Sequence, residues 1–176
     1  MRTVGGFLSL SWIVAAFNFD YESSQLTDAD VGTFSAIAFG DRTKPPATDS
    51  NPACKAYPGT PEWPPEEDWA RLNKTLDGAL LKPVPPAAAC YDGPFYDAKQ
   101  CNFLRTGTRE TRFYINDPLT VLTQWPQGET CVLSAKPTGN CTQGGFPVYV
   151  VNATTVRQIQ AAVNFARNKN IRLVIK

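Results

Sequence analysis

Residues 147–176 constrain this chain more than any other stretch, because only there do two apolar runs flank a capped amphipathic segment. Val148, Tyr149, Val150 and Val151 form an unbroken β-branched and aromatic run, which suits a strand buried on both faces. Thr155, with Gln158 three residues on, fits a capping box, in which each side chain satisfies the other residue's orphaned backbone amide. Val156, Ile159, Val163 and Ala166 then recur at helical spacing, with Ala162 and Phe165 widening the stripe. Arg157, Gln158, Gln160, Asn164 and Arg167 take the wetter side. Asn168 and Asn170 can stop the helix, since Asn tolerates the left-handed conformation of a C-cap. Ile171, Leu173, Val174 and Ile175 make the second apolar run. The expectation is a strand at 148–151, a helix over 155–168 and a strand at 171–175. A right-handed crossover would lay the two strands parallel and side by side, with Val156, Ile159, Val163 and Ala166 buried against them.

In open α/β sheets a ligand binds beyond the carboxyl ends of the strands, which makes Ile175 and Lys176 the candidate site residues. Pattern alone leaves two readings open: a cofactor-binding unit, or a structural βαβ piece of any α/β protein. For Lys176 the alternative to a ligand contact is a solvated lysine at a strand end.

Upstream, the chain is arranged very differently. Residues 1–16 carry Arg2, an apolar core from Val4 to Ala16 and small residues at Val14 and Ala16, the layout of a secretory signal peptide. That core is shorter than the roughly twenty residues a membrane span needs. Residues 17–51 show no hydrophobic period and read as a poorly ordered arm. Residues 52–146 hold most of the 15 prolines and little regular periodicity, so they read as loop-rich. One short helix stands out there. Pro64 and Pro65 lead into Glu66, Glu67 and Asp68, acids that suit a helix N-terminus, and Trp69, Leu72 and Leu76 follow at helical spacing before Gly78 ends the run. Leu80 to Pro86 should be extended, and Tyr96 to Leu104 can form one or two helical turns. The fold class is therefore α+β: a loop-rich, disulfide-bonded N-terminal arm with short helices leading into a βαβ unit.

Composition narrows the chemistry by what it lacks. The sequence contains no histidine, which removes Ser-His-Asp and Cys-His catalysis and most zinc sites. A net charge of +1 gives no reason to expect nucleic acid or an anionic membrane as partner. The 5 cysteines show no CxxC spacing, so disulfides are favoured over metal. Cys90 should pair with Cys101 and Cys131 with Cys141, each pair close in sequence and flanked by turn formers, in an oxidising compartment. Cys54 is left over. Asn73, Asn140 and Asn152 each open a glycosylation triplet, in keeping with a secreted, extracellular protein.

Several of these stretches resemble one family. Cys131, Cys141 with Gly144-Gly145, the Pro147-Val148-Tyr149-Val150-Val151-Asn152 run, Val156 to Ala166, and Asn170 to Lys176 are similar to the opening of the flavin domain of secreted fungal FAD-linked oxidases. These are berberine-bridge-like members of the vanillyl-alcohol-oxidase superfamily. Cys54, Pro58-Gly59 and Trp63-Pro64 extend the resemblance toward the N-terminus, although Ala56 and Glu62 stand where further cysteines are expected. The resemblance implies that residues 147–176 begin a p-cresol-methylhydroxylase-type FAD-binding domain. In that family the Arg-Leu-Val-Ile-Lys strand leads to a loop that wraps the FAD pyrophosphate and carries a flavin-linked histidine. The function implied is the N-terminal portion of an FAD-dependent oxidase of alcohols, phenols or sugar-like small molecules, with oxygen as acceptor and no activity as this chain alone. Two alternatives stay open: a secreted, disulfide-bonded interaction module, and the product of a truncated reading frame.

Overall fold

The computed structural model describes residues 19–40, 54–107, 112, 128–134 and 139–176, and the expected signal peptide lies outside them. Four α-helices (α1, Asp28–Val31; α2, Glu66–Thr75; α3, Ala98–Gly107; α4, Val156–Asn168) and two short strands (β1, Leu80–Leu81; β2, Val150–Val151) organise the described residues. Short 3-10 turns at Asp20–Ser23, Ser35–Ile37 and Pro86–Cys90 complete them. The molecule is α+β.

Helix α2 starts after Pro65, as its proline and first-turn acids predict, and it buries Trp69 and Leu72. It stops where the backbone turns left-handed at Asp77 and Gly78, with φ of 54° and 86°. The Gly78 amide closes that turn on the Asn73 carbonyl, and the Asn73 side chain accepts from the Leu80 amide at 3.2 Å. This turn delivers Ala79 and Leu80 to the main core. There β1 pairs antiparallel with β2, Leu80 opposite Val151 and Leu81 opposite Val150.

That pairing corrects the expected sheet. The run at 148–151 does not lie beside 171–175. Instead Ile171 makes an isolated parallel bridge to Ala56, and residues 172–176 carry no ladder among the described residues. A β-branched run announces a strand without naming its partner, and the α2 turn presents Leu80–Leu81 first.

The segment expected to be a poorly ordered arm is the second correction. Between 19 and 40 it folds onto α4, and Leu26, Phe34, Ala36 and Ile37 join Trp69, Leu72, Leu76, Ala161 and Phe165 in the main core. An aromatic chain runs through that core: Phe34 meets Phe165 at 6.1 Å, Phe165 meets Trp69 at 5.0 Å, and Trp69 stacks on Tyr149 at 4.0 Å. A second, smaller cluster gathers Ala87, Ala88, Cys131 and Phe146. Both expected disulfides are present, Cys90–Cys101 and Cys131–Cys141. The first ties the Pro86–Cys90 turn to α3, and the second places Cys131 in the smaller cluster.

Candidate functional site

The C-terminal segment depends on α4 for its position, and α4 is held by an unexpected face. Its N-cap is Thr155, whose hydroxyl accepts from the Gln158 amide at 3.3 Å. The return half of the expected capping box is shifted by one residue, because the Gln158 Oε1 accepts from Thr154 N at 2.8 Å rather than from Thr155. The predicted stripe is also rotated. Ile159 and Val163 are 49% and 37% exposed, whereas Gln158 and Asn164, expected on the wet side, are 6% and 4% exposed.

Buried carbonyls of the packed segments explain the rotation, since a buried acceptor short of donors is costly. Asn164 donates to the Ile37 carbonyl at 3.0 Å and Gln158 to the Leu76 carbonyl at 2.9 Å. Asn168 donates to Ala36 and Ala38, and Arg167 also reaches Ala38. Helix α4 thus turns its amides inward onto carbonyls at the end of α2 and around the Ser35–Ile37 turn.

Charged groups pin the same helix at both ends. Arg157 pairs with Asp30 of α1 and Asp77 of the α2 turn. Hydrogen bonds from Thr27 hold the Asp30 carboxyl below the usual carboxylate range, its side chain contributing most, and Arg157 adds to this. At the far end Lys169 pairs with Asp68 at 2.6 Å. The Thr27–Asp30 capping box around α1 is not among the sequence expectations, although a Thr followed three residues later by Asp is the signal that marks it.

Beyond α4 the chain turns at Asn170, a left-handed residue with φ of 53°. Its side chain accepts from Lys55 Nζ and donates to the Cys54 carbonyl, while its own carbonyl accepts from Ala56 N at 3.0 Å. Asn170 therefore fastens residues 54–56 to the start of the last segment, and Cys54 remains a free, exposed thiol. Val174 and Ile175 are 68% and 79% exposed, so the two are not in a sheet core here. Lys176 is exposed beside them.

Near β2 a second polar group forms. The Tyr149 hydroxyl donates to Glu66 at 3.2 Å, and Lys82 sits 3.6 Å from the same carboxylate. Burial, followed by the Glu66 charge, pushes the Tyr149 phenol up, which keeps it a neutral donor. Lys82 is also raised, chiefly by Tyr149 and then by Glu66. This cluster fastens the residue before β2 to α2. Among the described residues no group of three or more metal-ligating side chains gathers, and no helix is long and apolar enough to cross a membrane.

No family model matches the chain. It is, however, 43% identical over 129 residues to the VAO-type flavoprotein oxidase VAO615 of Thermothelomyces thermophilus, a match covering 72% of this chain and 22% of that protein. The FAD-linked oxidoreductase apf9 of Gibberella fujikuroi is 36% identical over 124 residues, covering 70% of this chain and 21% of its own length. The crystal structure of MtVAO615 from Myceliophthora thermophila C1 aligns with a TM-score of 0.64 at 42% identity, over 70% of this chain and 23% of that one. The chain is a homologue of the VAO-type flavoproteins. It spans only about a fifth of the length of these relatives, 22% for VAO615.

The described residues offer FAD little by themselves. The cavity described, about 280 Å³, lies between α1 and α2 and is lined by Asp30, Thr33, Arg71 and Lys74, among others, not by the C-terminal segment. The C-terminal run carries two exposed cations, Arg172 and Lys176, and its backbone after Ile171 enters no described ladder.

Proposed function

We propose that this chain is the N-terminal portion of a secreted FAD-dependent oxidase acting on an alcohol, a phenol or a sugar-like small molecule, with oxygen as electron acceptor. The observation that carries the reading is the 43% identity to a VAO-type flavoprotein oxidase over 129 residues, together with the matching fold at a TM-score of 0.64. Bound flavin supplies the two-electron chemistry, and the protein supplies binding and orientation. In this reading residues 147–176 begin the p-cresol-methylhydroxylase-type FAD-binding domain. The role of the described residues is to hold the segment after α4 in place, through Asn170 and the bridge to Ala56. Ile175 then lines the approach to the pyrophosphate, and the Lys176 ammonium offsets part of its negative charge. With no histidine in the sequence, the 176-residue chain alone neither bonds flavin through that residue nor turns over substrate.

The test uses the full-length gene product made in a secretory host. It is expected to purify with FAD and to consume oxygen with a substrate from one of the three classes, and a flavin-free product would sink the reading. In that same full-length protein Lys176→Ala should leave folding intact while weakening FAD retention about five- to tenfold, in line with about 1–1.4 kcal/mol for one charge-assisted contact. Unchanged flavin occupancy in that variant removes Lys176 from the site.

A further inference from the structure

Of the three glycosylation triplets, two converge on one short piece of backbone while differing in conformation. Asn73 lies in the last turn of α2, and its Oδ1 accepts from the Leu80 amide. Asn152 follows β2 directly, and its backbone amide donates to the Ala79 carbonyl at 2.9 Å. We propose that Asn152 carries an N-linked glycan and that Asn73 is left unmodified, because of these two triplets only the one at 152–154 lies outside a helix. The proposal rests on the secretory part of the functional reading.

The transfer joins the Asn Nδ2 to the anomeric carbon of a lipid-pyrophosphate-linked oligosaccharide. The bond from that carbon to the pyrophosphate oxygen breaks, and the amide nitrogen loses one proton. One enzyme surface must engage both the Asn amide and the Thr hydroxyl two residues on. In an extended chain residues i and i+2 lie on the same face, an arrangement open to residues 152–154, which lie between β2 and the extended N-cap Thr155. In a helix they stand about 200° apart around the axis, so Asn73 and Thr75 do not share a face.

Hydrogen bonds strengthen the contrast. The Thr75 hydroxyl is turned back to the Arg71 carbonyl at 3.0 Å, inside the helix. Asn73 accepts from the Gly78 and Leu80 amides while Thr75 bonds back to Arg71, so this geometry forms from near neighbours, early in folding. At the other site Thr154 does donate to Gln158, at 3.2 Å, but that bond requires the first turn of α4. The backbone bond from Asn152 to Ala79 joins pieces far apart in the chain and comes later still, and it leaves the exposed side chain pointing to no described hydrogen-bond partner.

The test expresses all of the chain from Phe17 to Lys176 behind a heterologous secretory leader and recovers it from both lumenal membranes and medium. Enzymatic removal of glycans in heavy-oxygen water marks each formerly modified Asn as labelled Asp, which peptide mapping then locates. Label at residue 152 with none at 73 is the expected result. Label at 73, or none at 152, overturns the inference. A parallel expression keeps residues 1–16 in place of the foreign leader. If that form alone stays unglycosylated in the cytosol, the secretory reading fails while the site assignment stands.

Discussion

At the scale of single residues, the stability of this chain turns on amides that look as if they belong in water. Asn164 is the plainest case. Its position in the sequence invites a hydrophobic replacement, which would widen the apolar stripe of α4. The structure reverses that expectation, because Asn164→Leu strands the buried Ile37 carbonyl. Urea unfolding should show a loss of about 1–3 kcal/mol, the cost of an unsatisfied buried acceptor, and an equal or more stable variant would falsify this account. Asp30 gives a pH-dependent counterpart. Its folded pKa lies below the free value of 3.8, so the charged form is favoured in the native state. The stabilisation is present above 3.8 and is lost as pH falls through the depressed folded value. The difference in stability between the native chain and Asp30→Asn should therefore be largest near neutrality and shrink in that acid window. A difference that stays constant into the window removes Asp30 as its source.

At the scale of elements, what the sequence made legible were the pieces whose signals are local. Proline and acids mark the start of α2, Thr155 marks the start of α4, and the two cystines follow from cysteines ten and eleven positions apart. What it hid were pairings between distant pieces. Leu26, Phe34 and Ile37 plug the core from a segment with no period, so no window of residues 17–51 betrays them. Likewise Val150 and Val151 read as a strand, while their partner at 80–81 depends on a left-handed turn far earlier in the chain. Of the candidate site, Ile175 and Lys176 end a segment whose described bridge is at Ile171, and the neighbours holding its start, Asn170 and Ala56, carry no sequence signal of that role. The smaller cluster offers an element-scale prediction. Replacing Cys131 and Cys141 together by Ala should cost about 2–3 kcal/mol, the usual effect of releasing a loop of this size. Hydrogen exchange should quicken at 87–91 and 128–146 before it does in α2 or α4, since those helices pack in the main core. Uniform acceleration across both clusters would show that the two cores unfold as one.

At the scale of the whole molecule, the described residues bury Gln158 and Asn164 of α4 beside its apolar core residues and leave large apolar side chains outside. Ile159, Val163, Leu173, Val174 and Ile175 are all exposed, on a chain whose net charge is only +1. Proteins in solution repel one another mainly through like charge, and attract through uncovered hydrocarbon. With so little of the first and so much of the second, the colloidal behaviour of the isolated chain follows. Static light scattering near neutral pH should give a negative second virial coefficient, rising toward zero when Ile159 and Val163 are both replaced by Gln. A positive coefficient in the unmodified chain would mean that these side chains sit too far apart to attract a neighbour. The same inward turn of amides that satisfies the backbone thus leaves the chain, in free solution, inclined to crowd against its own copies.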